Sequence, residues 1–193
     1  KIKKKFIFLD NIYLKKKIFK KKSVNLIISK SGNTLETIVN SNIYASNKDL
    51  NLVITENKRS LLAKIANKLK CEIIEHNNFV GGRYSVLSET GMVPAYLMGL
   101  DPKKFKNYNN LINNKVFIKN LIHNVSLLLD VIKKKYTNLV ILNYDEKSKH
   151  FLKWYQQLFG ESIGKKKSGL LPTISIMPQD NHSLLQYYLD GPK

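Results

Sequence analysis

Val24-Asn25-Leu26-Ile27-Ile28-Ser29-Lys30-Ser31-Gly32-Asn33-Thr34-Leu35-Glu36-Thr37 is an apolar run that breaks into a small polar turn and then opens an amphipathic stretch. It reads as a strand, a phosphate-sized turn and a helix start. Ser29, Ser31 and Thr34 bring hydroxyl groups, Gly32 permits unusual backbone angles, and the first turn of a helix leaves N–H groups unpaired with a partial positive charge. An anion, above all a phosphate, suits that turn. The simpler reading is that Thr34 is only an N-cap, with Thr37 where a capping box would want Glu or Gln. Local chemistry alone does not separate the two.

Moving outward, apolar runs of strand length alternate with amphipathic segments. Residues 4 to 9 read as a short buried strand and Ile12 to Lys22 as a lysine-faced helix or turn. A helix is expected over 34 to 46, its apolar side formed by Leu35, Ile38, Val39 and Ile43 at helical spacing. Leu50 to Thr55 reads as a strand and Lys58 to Lys70 as a helix with Leu61, Leu62, Ile65, Ala66 and Leu69 inward. Cys71 to Ile74 is a further strand. Such alternation predicts an α/β fold with a doubly wound, mostly parallel sheet, whose ligands bind beyond the carboxyl ends of the strands. The Ser29 turn falls there.

After the loop signal Gly81-Gly82-Arg83-Tyr84-Ser85, a helix is expected over 85 to 99, interrupted near Gly91 or Pro94. Asn107 to Asn114 has the composition of a linker. A long helix follows over 116 to 136, a strand over 138 to 144 and a helix from Asp145 to Phe159 that ends at Gly160. Residues 168 to 172 read as a loop, 173 to 177 as a short strand, and 181 to 189 as a helix capped by Asp180 or Asn181. No period suggests repeats.

The totals set bounds. A chain of 193 residues can bury a real core in one domain or two unequal parts. The basic, briefly apolar start from Lys1 to Leu9 is too short for a signal or a membrane span before Asp10 and Asn11 interrupt it. A single cysteine, Cys71, excludes an internal disulfide framework and fits a reducing, cytoplasmic setting. A net charge of +19 raises nucleic-acid binding as an alternative. The positive charge is almost all lysine, with only Arg59 and Arg83 as arginines, and the lysines at 15 to 17, 20 to 22, 133 to 135 and 165 to 167 are dispersed between apolar runs. That pattern lacks the single aromatic-interleaved groove of a dedicated nucleic-acid binder.

Four stretches together resemble one family, the glucose-6-phosphate isomerases, whose two halves are sugar-isomerase (SIS) folds. They are Ser29 to Thr37, Gly81 to Ser85, Gln157-Leu158-Phe159-Gly160-Glu161-Ser162-Ile163-Gly164-Lys165, and Gln179-Asp180-Asn181-His182-Ser183-Leu184-Leu185-Gln186. The first alone indicates only a SIS sugar-phosphate site, and the others in this order are more specific. The resemblance implies a three-layer αβα SIS-type fold with parts of two SIS domains: residues 1–84 as the second half of the first, 85–193 as the first part of the second. Neither the family's earlier Gly-Gly-Ser phosphate loop nor its later catalytic lysine is present, so the chain is expected to be an internal fragment.

The resemblance also implies roles. Interconverting glucose 6-phosphate and fructose 6-phosphate, in glycolysis and gluconeogenesis, requires ring opening and proton movement between C2 and C1 through an enediolate. Glu161 matches the family's proton-shuttling carboxylate; by isolated chemistry it would merely close a helix end. Arg83 looks like the arginine that stabilises the enediolate and keeps the base ionised. His182 matches the histidine that helps open the ring, and in the family it reaches the site from the neighbouring subunit, which implies a homodimer. His76, His123 and His150 match no motif and read as structural. Phosphate would be held by Ser29, Ser31 and Thr34, with backbone contacts from Lys30, Gly32 and Asn33 and a side-chain contact from Gln157. No metal-ligand spacing or nucleotide fingerprint is present in the sequence, and the reaction needs no cofactor. The competing readings are an isomerase of another phosphosugar and a non-catalytic SIS sensor, which would need the Ser29 turn but no base beside an oxyanion stabiliser.

Overall fold

The fold is described from a computed structural model for residues 6–12 and 23–191. The chain divides into two compact units, residues 1–107 and 108–193.

The first unit is built on three parallel strands in the order β1 (Val24–Ile28), β2 (Leu50–Thr55) and β3 (Glu72–Glu75), with Ile27 opposite Val53 and Val53 opposite Ile73. Helices α1 (Leu35–Tyr44) and α2 (Leu61–Leu69) make the crossovers. Both pack against one face, because Ile27 and Val53 cluster with Leu62 and Ala66 of α2 while Ile38 of α1 lies against that cluster. The central strand β2 is the most deeply buried, as expected of a strand paired on both sides. Ser60 caps α2 by accepting from the Ala63 amide at 3.2 Å. Beyond β3 come a 3-10 turn at Gly82–Leu87 and helix α3 (Glu89–Leu97).

The second unit holds α4 (Asn109–Ile112), α5 (Lys115–Lys133) and a parallel pair, β4 (Asn138–Asn143) and β5 (Leu171–Ile176). The crossover is α6 (Lys149–Ile163), which packs on β5 and is fastened by Gln156 Nε2 donating to Pro172 O at 2.8 Å. A 3-10 turn at Gln179–Asn181 and α7 (Leu185–Asp190) follow. The α/β reading with parallel strands and flanking helices therefore holds in both units.

Several boundaries differ from expectation. Residues 6 to 9 are irregular and Phe8 is 69% exposed, since a strand exists only by pairing and β1 pairs with β2; residues 4 and 5, and all but the first residue of the expected 12–22 element, lie outside the described residues. Helix α1 turns Asn40 and Ser41 inward and leaves Leu35 65% exposed, because the stripe facing the sheet runs through Ile38 and Ser41. The break in the 85–99 region falls at Ser88, not at Gly91 or Pro94, which are both inside α3. Gly91 serves the tight passage instead: a Cβ there would overlap Val86 O. Helix α6 runs through Gly160 to Ile163, since one glycine costs a helix only about 1 kcal/mol and the position packs beside the Pro172 ring. Helix α7 begins only at Leu185, because the Asp180 carboxylate turns back to β5.

Candidate functional site

In the first unit the ladders continue past the strand ends, with Ser29 N donating to Ile54 O at 3.1 Å, Glu56 N to Lys30 O at 3.1 Å and His76 N to Thr55 O at 2.8 Å. Three loops thus leave the sheet at its carboxyl edge side by side. The Ser29–Thr34 turn is fixed by its own side chains. Ser29, which is buried, accepts from Gly32 N at 3.1 Å, and its hydroxyl shares a hydrogen bond of 2.8 Å with that of Thr34. Ser31 Oγ accepts from Asn33 N at 3.2 Å. Gly32 has φ +66°, and a Cβ on it would overlap Ser60 Oγ, so the turn needs glycine both for its angle and for its contact with the α2 cap. Asn33 Oδ1 and Gly32 O in turn accept from Leu61 N and Leu62 N at 3.0 and 2.9 Å, which occupies first-turn amides of α2.

Thr34 stands at the N-cap of α1, the position the simpler reading gives it, but makes no side-chain cap hydrogen bond there. Its hydroxyl goes to Ser29 instead.

The Lys30 side chain joins the three loops. Its Nζ donates to Asn78 O at 3.2 Å and Val80 O at 2.7 Å and lies 3.2 Å from Glu56 Oε1. Glu56 also pairs with Lys58. These ammonium groups, Lys58 foremost and then Lys30, hold the Glu56 carboxyl below its ordinary value against the opposing effect of burial. The loop that carries Gly81, Gly82 and Arg83 is therefore tied directly to the loop that carries Ser29. Arg83 is half-buried, with its guanidinium 4.8 Å from the centre of the Tyr84 ring. The far end of that loop is closed by Glu89, whose Oε1 lies 2.9 Å from Nδ1 of the buried His76 and accepts from Asn77 N at 3.1 Å.

In the second unit Gln157 and Glu161 lie one turn apart on the exposed side of α6, close enough to act on one ligand. Glu161 occupies the last turn of α6, next in sequence to Gly160, which packs beside Pro172 at the start of β5. His182 is exposed and ends the 3-10 turn after the other end of β5. Six residues of strand, about 20 Å, thus separate the segments that carry Glu161 and His182. The two segments sit at opposite ends of β5.

Sequence reasoning missed the Lys30 side-chain clamp, the pairing of Glu56, the Glu89 closure and the role of Asp180. Only Glu56-Asn57-Lys58, an acid and a base directly after a strand, carried a visible signal. His76 is buried as a structural histidine would be, while His123 and His150 are exposed. Among the described residues, no group of three or more His, Cys, Asp or Glu is arranged to hold a metal ion, and no helix is long and apolar enough to cross a membrane.

A model of the phosphoglucose isomerase family matches residues 11–171. Glucose-6-phosphate isomerase of Methanocaldococcus jannaschii is 37% identical over 205 residues, covering 96% of this chain and 50% of that protein. The enzyme of the same name from Mycoplasmopsis synoviae is 33% identical over 188 residues, covering 90% and 44%. The chain spans about half the length of the curated relatives it matches. Among solved structures, a hypothetical protein from Thermus thermophilus superposes with a TM-score of 0.65 over 86% of this chain and 44% of that one, a likeness of fold at 24% identity.

Proposed function

This chain belongs to the phosphoglucose isomerase family, and from that premise we propose that the full-length protein interconverts glucose 6-phosphate and fructose 6-phosphate in the cytoplasm. The observation that carries the reading is the tie between the Ser29 turn and the Arg83 loop through Lys30 at one sheet edge. In this reading the sugar phosphate binds with its phosphate on Ser29, Ser31 and Thr34 and on the amides of Lys30, Gly32 and Asn33, and Gln157 keeps the phosphate contact that the family likeness assigns it. Support comes from the Thr34 hydroxyl, which leaves the first-turn amides of α1 uncapped by its side chain.

Glu161 takes the proton from C2 of the open-chain aldose and returns it to C1, and Arg83 stabilises the enediolate oxygen between the two transfers. His182 opens the ring. In this reading His182 comes from a second copy, in a homodimer, which is supported by the placing of Glu161 and His182 in segments at opposite ends of β5. We also place the family's domain division after residue 84, with residues 85–107 held to the first unit through Glu89.

The test follows fructose 6-phosphate conversion by the full-length protein beside Glu161→Gln. Turnover should fall by about 10² to 10⁴ with substrate affinity retained. A near-normal rate would show the base to be misassigned. A folded parent that binds the sugar phosphate without converting it would favour a phosphosugar sensor.

A further inference from the structure

The segment around His182 is held by one carboxylate. Asp180 Oδ2 accepts from Ser175 Oγ at 2.8 Å and from Ile176 N at 2.7 Å, and Oδ1 accepts from Ser183 Oγ at 3.2 Å. Ser175 is fully buried and also receives the Tyr188 hydroxyl at 3.3 Å, which links α7 to the same point. His182 therefore lies between Asp180, which is fastened to the end of β5, and Ser183, which is tied to Asp180. Its own backbone adds a bond from His182 N to Gln179 O at 3.3 Å.

We propose that Asp180 is the positioning residue for His182, fixing the short segment that presents the imidazole to the sugar ring. The inference rests on the reading of His182 as the ring-opening group. In that step the imidazolium delivers a proton to the ring oxygen O5, the C2–O5 bond of the ketose breaks with its electron pair going to O5, and the anomeric hydroxyl gives its proton to solvent water as it becomes the carbonyl. No step of the later proton transfer at C1 and C2 involves His182. Loosening Asp180 should consequently slow cyclic substrates and spare acyclic ones.

The experiment compares full-length parent and Asp180→Ala on two substrates. One is fructose 6-phosphate, which must be opened; the other is 5-deoxyfructose 6-phosphate, which lacks O5 and stays open, followed by deuterium incorporation at C1 in heavy water. Turnover of the first should drop about 10- to 100-fold, the scale of a small misplacement of a reacting group, while exchange on the second stays within about twofold of the parent. If Asp180→Ala does not fold, Asp180→Asn, which keeps an oxygen able to accept from Ile176 N, is put through the same comparison. Equal losses on both substrates, or no loss on either, would overturn the proposal. A parent that exchanges neither substrate while binding sugar phosphate would overturn the isomerase reading itself, and the assignment of Asp180 with it.

Discussion

Single residues decide the shape of the Ser29 turn. Gly32 combines a left-handed φ with contact against Ser60, so Gly32→Ala meets both a conformational penalty and an overlap with the α2 cap. It should lower stability by about 1–3 kcal/mol in urea unfolding and weaken sugar-phosphate binding as the turn opens. Glu56 sets a pH dependence. Its carboxyl is held below an ordinary value near 4.5 by Lys58 and Lys30, and a carboxylate depressed in the folded state stabilises above its unfolded pKa and loses that stabilisation as pH falls through the folded one. The urea midpoint of the parent should therefore exceed that of Glu56→Gln at pH 7, with the gap closing as pH drops below about 4.5. The hydroxyls and glycine of the turn were legible in the sequence because their chemistry is local. The Lys30 clamp was not, since its carbonyl partners stand 48 and 50 residues away and any carbonyl reads alike in a sequence.

At the scale of elements, strand and helix identity followed from apolar periodicity, and the strands β1, β2 and β4 lie where the alternation places them. Helix ends were less legible, because they are set by tertiary contacts. Gly160 looked like a stop but packs beside Pro172, and Asp180 looked like a cap but is drawn to Ser175 and Ile176. Asp180 is itself held below the ordinary carboxylate range, first by the Ser175 hydroxyl and then by the Ile176 amide. The tight turn before β5 shows a mismatch that can be repaired. Lys165 and Ser168 bridge across a two-residue link in which Lys166 and Lys167 have φ of +53° and +59°. Both central positions of such a link favour Asn and Gly, so Lys166→Asn with Lys167→Gly should raise stability by about 1 kcal/mol, read as a higher thermal midpoint.

For the molecule as a whole, sequence periodicity tells which side of a helix prefers burial but not what covers it. Helix α5 reads as amphipathic, yet Val116 and Ile122 are 69% and 61% exposed, and Ile112, Ile118 and Ile122 line an open groove between α4 and α5. The sheet sets a more specific constraint, because β5 keeps the segments of Glu161 and His182 at its two ends. The consequence is genetic. On the proposed homodimer with its histidine in trans, an allele encoding Glu161→Gln and one encoding His182→Ala should each be defective alone yet restore growth or activity when expressed together, since a mixed dimer would assemble one whole site from the intact histidine of the first product and the intact glutamate of the second. Two alleles altered at the same position should never complement.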